Sequence, residues 1–369
     1  MASASAEHRG TTNSAARSVI AAAAETLFPG YFALVMATAA VSIASFLLGH
    51  SFVARSLVGL NWVLYLSLWG LTFVRIVRFP RRLVDDLFDH QRAPGFFTLV
   101  AGTCVLATQT ALVSGGTAIA AVLWWLGLGL WLLVMYAFFT AVTVRQHKPT
   151  LARGINGAWL IAAVATQSIV VSRGAVDGLS APPPPIQFLC VAMFMVGSML
   201  YLAIIPLIFY RLTFVRLASR DFSPPYWINM GAVAITTLAG ATLMMRVGHW
   251  PVLDQIRAFL PGFTLFFWAA ATWWIPLLVA LMVWRYVVRR EVPRYEPALW
   301  GMVFPLGMYT TATFQLSRAT HFEFLARIPE AFIFVALAAW LIAFTGLLRH
   351  LWSSMRAAAS NAHPGLRRT

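Results

Sequence analysis

The chain has 369 residues, of which 60% are hydrophobic and only 11% charged. A soluble domain carries about 25% charged residues, so this composition excludes an ordinary globular chain and points to a bilayer. The net charge of +15 does not read as a nucleic-acid signal, because the basic residues punctuate the ends of apolar runs instead of gathering in one patch.

One bilayer crossing needs about 20 apolar residues. A polar segment, 1–26, comes first, and the first apolar run, 27–48, is too long for a cleavable signal. The second run covers 56–78. The third (95–115) and fourth (117–142) meet at Gly115-Gly116, which predicts a tight hairpin. The fifth to seventh cover 156–175, 186–212 and 226–246. The eighth, 258–288, contains Pro261 and Pro276, which predict a kink or an interfacial first turn. The ninth covers 297–319 and the tenth 329–352, followed by a basic tail, 353–369. The expected fold is therefore an all-α integral membrane protein of ten transmembrane helices, with 27–352 as the membrane domain.

Orientation follows from the basic residues. With the N-terminus inside, 21 of the 27 Lys and Arg fall on the inner side. The other six are Arg55, Arg173, Arg246, Arg257, Arg318 and Arg327. Short cytoplasmic loops carry such an excess, so both tails are expected in the cytoplasm of a cell whose plasma membrane holds the protein. The loop around 79–94, with mixed charges, reads as a solvated connector.

The odd-numbered runs repeat a pattern. They open FPGYFALVMATAAVSIAS, APGFFTLVAGTCVLATQ, INGAWLIAAVATQS, PPYWINMGAVAITT and EPALWGMVFPLGMYTT. Each begins with a Pro or Gly turn, then small residues, then hydroxyls midway. Thr38 and Thr103 each stand nine residues after the opening Pro. Five tandem hairpins of one orientation can close into a ring. The odd helices would line a central pore and the Leu/Trp/Phe-rich even helices would face lipid. Thr38, Thr103, Thr166, Thr236 and Thr310 are then pore-lining candidates. Small residues also mark plain helix packing in membranes, and that alternative stays open here.

The absences carry information. All carboxylates lie outside the runs or at their margins, and the His residues sit in tails, loops or helix ends. A proton-coupled pump keeps an ionisable group mid-membrane. No hydroxyl has a partner base, no metal-ligand spacing appears, and no phosphate-binding loop is present. Cys104 and Cys190 read as core thiols. We therefore expect no catalytic residue, no metal and no cofactor. A neutral, hydroxyl-lined path with positive ends suits an anion.

The stretch WGMVFPLGMYTTATFQLS at 300–317 places Phe304 before Pro305 inside the ninth run. Pro305 removes the bond to the Gly301 carbonyl and is expected to kink the helix. If that helix lines the ring, Phe304 projects into the lumen as a hydrophobic constriction. Otherwise it is one of 27 Phe residues that pack or meet lipid.

The five-hairpin pattern, with PGYFALVMATAAVSIAS, GFFTLVAGTCVLATQ and WGMVFPLGMYTTATFQLS, resembles the TehA tellurite-resistance and four-carbon dicarboxylate transporter family, which includes the slow anion channel of plant guard cells. The resemblance covers about 25–352. It implies a homotrimer with one pore per subunit and a ninth-helix Phe, here Phe304 beside Pro305, as the pore gate. The family's small Gly-Thr pair falls on Gly102-Thr103, and Ala37-Thr38 takes that place in the first helix, with Ala for Gly. The plant channel's long regulatory tails have no counterpart.

The leading expectation is a gated passive path for small inorganic anions. The alternative is a carrier for malate-like dicarboxylates or for oxyanions such as sulfite or tellurite, with Arg75, Arg246 and Arg318 as the available cations in its path. These arginines are expected to snorkel to the interface. A membrane enzyme or structural subunit lacks any visible constellation. Thr103→Val is expected to weaken passage.

Overall fold

The computed structural model describes residues 20–362, so most of the 1–26 segment and the last residues of the 353–369 tail lie outside the described residues. All regular structure among the described residues is helical. Ten long helices follow one another. They are α1 (Ala33–Leu47), α2 (Ser51–Arg78), α3 (Phe97–Ser114), α4 (Thr117–Val144), α5 (Ile161–Asp177), α6 (Pro184–Phe214), α7 (Ile228–Met244), α8 (Phe259–Val283), α9 (Trp300–Thr320) and α10 (Arg327–Ala362).

Nine of these, with their leading turns, are long and apolar enough to cross a membrane. The exception is α9. Its Gly, Thr, Gln and Arg residues lower its hydropathy, and most of it is buried. A helix shielded from lipid by protein can tolerate polar residues that a lipid-facing helix cannot.

Burial alternates along the chain. The most apolar windows of the α1, α3, α5 and α7 spans are 83%, 89%, 78% and 94% buried. Those of α2, α4, α6, α8 and α10 are only 22–39% buried. With α9, the first set forms an inner group. Each inner helix packs on the next: α1 on α3, α3 on α5, α5 on α7, α7 on α9, and α9 on α1. Each also packs on the outer helix that follows it. Outer helices bury one stripe only. On α4 that stripe is Ala120, Leu123, Trp124, Gly127, Trp131, Val134, Met135 and Phe138, the three- and four-residue spacing of a one-sided helix. Its other face exposes Trp125, Leu133 and Tyr136.

The repeated sequence openings become five short 3₁₀ turns, Pro29–Phe32, Ala93–Phe96, Gly157–Leu160, Pro224–Trp227 and Pro297–Leu299. Four place Pro in the first two positions, where its missing N–H costs nothing. The fifth uses Asn156, whose side-chain oxygen accepts from the Ala158 N–H at 2.8 Å. These turns touch one another in the same closed order as the helices. Gly95 permits the first contact, because a Cβ there would lie 2.6 Å from the Gly30 nitrogen.

Several sequence expectations need correction. α2 starts at Ser51, five residues before the expected boundary, with Arg55 exposed near its start. α10 runs to Ala362, well into the segment read as a tail. α8 contains Pro276 and continues into a π turn at Trp284–Val288, within the expected 258–288 run. The 79–94 connector is not simply solvated. It holds a helix, Pro80–Phe88, whose Asp86 is buried. Asp86 accepts from Arg75 at 2.6 Å and from Arg92 at 2.6 Å. Arg75 therefore does not snorkel: it is buried and also donates to the Leu27 carbonyl. The hairpin expected at Gly115-Gly116 forms, with Gly115 in the left-handed region at φ 69°.

Candidate functional site

Two cavities draw on all five inner helices. The first lies at their N-terminal ends. Met36 of α1, Thr98 of α3, Val164 of α5, Ile228 of α7 and Phe304 of α9 are its deepest contributions along each helix. Phe28 stands at its other end, with the Arg92 guanidinium 5.4 Å from its ring centre. The second lies at the C-terminal ends. Ile43, Thr108, Val171, Leu238 and Thr311 are its deepest contributions.

The two cavities share faces. Met36 and Ile43, Val164 and Val171, and Phe304 and Thr311 are each seven residues apart. Seven residues are two helical turns, so each pair lies on one face with about 10 Å of rise between its members. Neither cavity is lined by the residues along that length of the helices. Phe304 is 1% exposed and borders that length from the first cavity.

Pro305 lies inside a continuous α9. Its ring faces α7: a Cβ on Gly231 would lie 2.6 Å from Pro305 Cγ. Two residues on, about half a turn round the helix, Gly307 meets α1, where a Cβ would lie 2.9 Å from the Val41 nitrogen. These glycines bring α9 close to both neighbours and fix the azimuth of Phe304.

The hydroxyl candidates from the sequence have partners on neighbouring helices or on their own. None of Thr38, Gly102, Thr103, Thr166, Thr236 and Thr310 lines either cavity. Thr38 Oγ1 accepts from the Trp340 indole at 3.1 Å. Thr103 Oγ1 and the Tyr65 hydroxyl are 3.0 Å apart. Thr166 Oγ1 accepts from the Trp131 indole at 2.8 Å. Thr313 Oγ1 accepts from the Trp268 indole at 3.1 Å. Each of these bonds joins an inner helix to an outer one. Thr236 and Thr310 donate to carbonyls of their own helices. Gly102 packs on the Phe32 carbonyl, which a Cβ would approach to 3.3 Å. The cavity hydroxyls are instead Thr98, Thr108, Thr242 and Thr311. A seven-residue step from Phe304 reaches Thr311, not Thr310, and that spacing was available in the sequence.

Arg246 is the residue that the sequence reading undervalued. It is 7% exposed and lines the second cavity. It donates to the Thr242 carbonyl at 2.6 Å and to the Gly174 carbonyl. Arg318 is exposed at the end of α9, as expected. Among the described residues no cluster of His, Cys, Asp and Glu is arranged to hold a metal.

Comparison with known proteins agrees with this architecture. The profile of a family described as "Voltage-dependent anion channel" matches residues 26–348. An uncharacterized membrane protein of Mycobacterium tuberculosis is 40% identical over 164 residues, 44% of this chain and 83% of that protein. An uncharacterized transporter of Methanocaldococcus jannaschii is 22% identical over 338 residues, 88% of this chain and 94% of that protein. A sulfite efflux pump of Arthroderma otae is 24% identical over 342 residues, 86% of this chain and 88% of that protein. An all-helical membrane architecture and a family match over most of its length identify a transport protein and not an enzyme: the chain belongs to the voltage-dependent anion channel family.

Proposed function

We propose that the chain passes small anions through a central pore closed by Phe304. In this reading ten transmembrane helices form five tandem hairpins in a ring, and the two cavities are the vestibules of one path. The observation that carries it is the pair of cavities, each lined by all five inner helices, with Phe304 at the inner end of the first. Five helix N-termini converge on the first vestibule, and their dipoles favour an anion there. An aromatic ring at the narrowest point excludes water and ions. Pro305 and Gly231 hold that ring in place.

The residues Thr38, Gly102, Thr103, Thr166, Thr236 and Thr310 then belong to the pore wall in a supporting sense. They set the spacing between inner and outer helices, or between neighbouring inner ones. The positive-inside count puts the first vestibule on the cytoplasmic side, with both termini cytoplasmic and the plasma membrane as the site. A homotrimer, one pore per subunit, follows from the family resemblance, and a monomer by native mass measurement would remove it.

A second reading, a carrier for oxyanions such as sulfite or for dicarboxylates, gains from buried Arg246 in the second vestibule and from the likeness to a sulfite efflux pump. Flux assays in proteoliposomes separate the two. Chloride, nitrate, sulfite and malate are each loaded on one side, with and without a pH gradient. A channel passes several of them down their gradients whatever the pH. Movement of one anion only, driven by protons, would replace the channel with a carrier.

A further inference from the structure

Arg246 faces a problem of helix polarity. Five inner helices point their C-terminal ends at the second vestibule. Those ends carry partial negative charge, which repels an anion that the opposite vestibule welcomes. Arg246 stands where this can be offset. Its guanidinium takes up the Thr242 carbonyl of α7 and the Gly174 carbonyl of α5. Those are two of the carbonyls responsible for the negative end.

Its charge is left over. The nearby carboxylate, Asp177, is held by Arg173 through two bonds of 2.5 and 2.6 Å. Among the described residues no carboxylate lies within ion-pair distance of Arg246. The three groups together carry one net positive charge. Arg246 Nε is buried and has no hydrogen-bond partner. Gln315, on the neighbouring α9, also lines this vestibule, and its Oε1 is buried and unpartnered. A buried donor without a partner is costly, so the Arg246 Nε–H marks a place for a missing acceptor. The amide of Gln315 can turn its NH₂ toward that acceptor. Thr108 and Thr311 spend their hydroxyl protons on their own helix carbonyls, each at 3.1 Å.

We propose that the second vestibule holds a small oxyanion between the Arg246 guanidinium and the Gln315 amide, as the capture site of the transport path. A guanidinium edge matches two oxygens of one anion better than it matches a spherical halide. The site therefore selects oxyanions over chloride before they reach Phe304. This rests on the pore reading above for its place on the path, but its binding chemistry is independent of it.

The test is titration calorimetry of the purified full chain in detergent with sodium sulfite and, separately, sodium chloride. Wild type is expected to bind sulfite more tightly than chloride. Arg246→Lys keeps the charge and loses the fork, and is expected to weaken sulfite about tenfold. Gln315→Leu leaves the carbonyl bonds of Arg246 intact and is expected to weaken sulfite several-fold with an unchanged melting temperature. Wild type without sulfite binding, or both variants binding as wild type does, would overturn the site and leave Arg246 as a helix-end staple. Flux through Phe304→Ala liposomes is read in parallel. Flux with normal sulfite binding in both variants removes this site and keeps the pore. Sulfite binding lost in both variants, with no flux from any protein, keeps the site and removes the pore.

Discussion

Pro305 of α9 rests on Gly231 of α7 so closely that a Cβ on Gly231 would lie 2.6 Å from Pro305 Cγ. The pyrrolidine ring is rigid and cannot fold away. Gly231→Ala must therefore move α9, and Phe304 with it. Overpacking of this kind costs about 1–3 kcal/mol. A lowered melting temperature in detergent is the expected result. An unchanged one would mean that the α7–α9 contact yields without cost.

Thr166 illustrates what the mid-helix hydroxyls do. It accepts from Trp131 at 2.8 Å while donating to the Ala162 carbonyl at 2.8 Å. Thr166→Val orphans the indole N–H. Interhelical bonds in membranes are worth about 0.6–1.7 kcal/mol, so a small loss of stability is expected, with anion selectivity unchanged. Thr103→Val should behave alike through Tyr65, and flux alongside melting temperature checks both. A selectivity change without destabilisation would return these hydroxyls to the lumen.

Asp86 binds Arg75 and Arg92 at once, with 10% of its side chain exposed. Asp86→Asn leaves two guanidinium groups without their counter-charge. Breaking a buried pair from one side costs about 3–5 kcal/mol. The Pro80–Phe88 helix should detach, and limited proteolysis should cut within 79–94 much faster than in wild type. Equal cutting rates would show that the helix is held by its apolar contacts.

His90 lies on the same face, outside the membrane spans. Burial pushes its pKa below the usual 6.5, and the Arg145 charge pushes the same way. A neutral folded His and a protonated unfolded one make stability rise with pH in this window. The contribution is present above about pH 6.5 and is lost as pH falls below it. Melting temperature should drop on acidification from about pH 7 to about pH 5, and His90→Gln should flatten that part of the curve. An equally steep curve in the variant would assign the effect to another group.

The alternation of buried and lipid-facing helices was legible because lipid demands an apolar surface on all exposed sides. The Leu/Trp-rich fourth run met that demand and the Thr-threaded odd runs did not. The Pro and Gly openings were legible as well, because the first turn of a helix tolerates a missing N–H. The phase of each helix was not. Thr38 and Thr103 lie mid-helix, yet their hydroxyls turn to Trp340 and Tyr65, and position along a helix says nothing about azimuth. Phase becomes readable only relative to an anchor, as Thr311 does from Phe304. The burial of Arg75 and Arg246 was hidden for another reason. Arginines at span ends snorkel by default, and only the partners Asp86, Leu27, Thr242 and Gly174, distant in sequence or on the backbone, hold these two in.

The central claim is that Phe304 closes the path, and anion flux from proteoliposomes of wild type beside Phe304→Ala tests it most directly. Removing the ring should raise chloride and nitrate flux about tenfold or more, the equivalent of lowering the barrier by about 1.4 kcal/mol. The rise should appear with or without a pH gradient, in protein that melts as a single folded species. Flux no greater than wild type, from an equally well folded variant, would contradict the account and make Phe304 a packing residue.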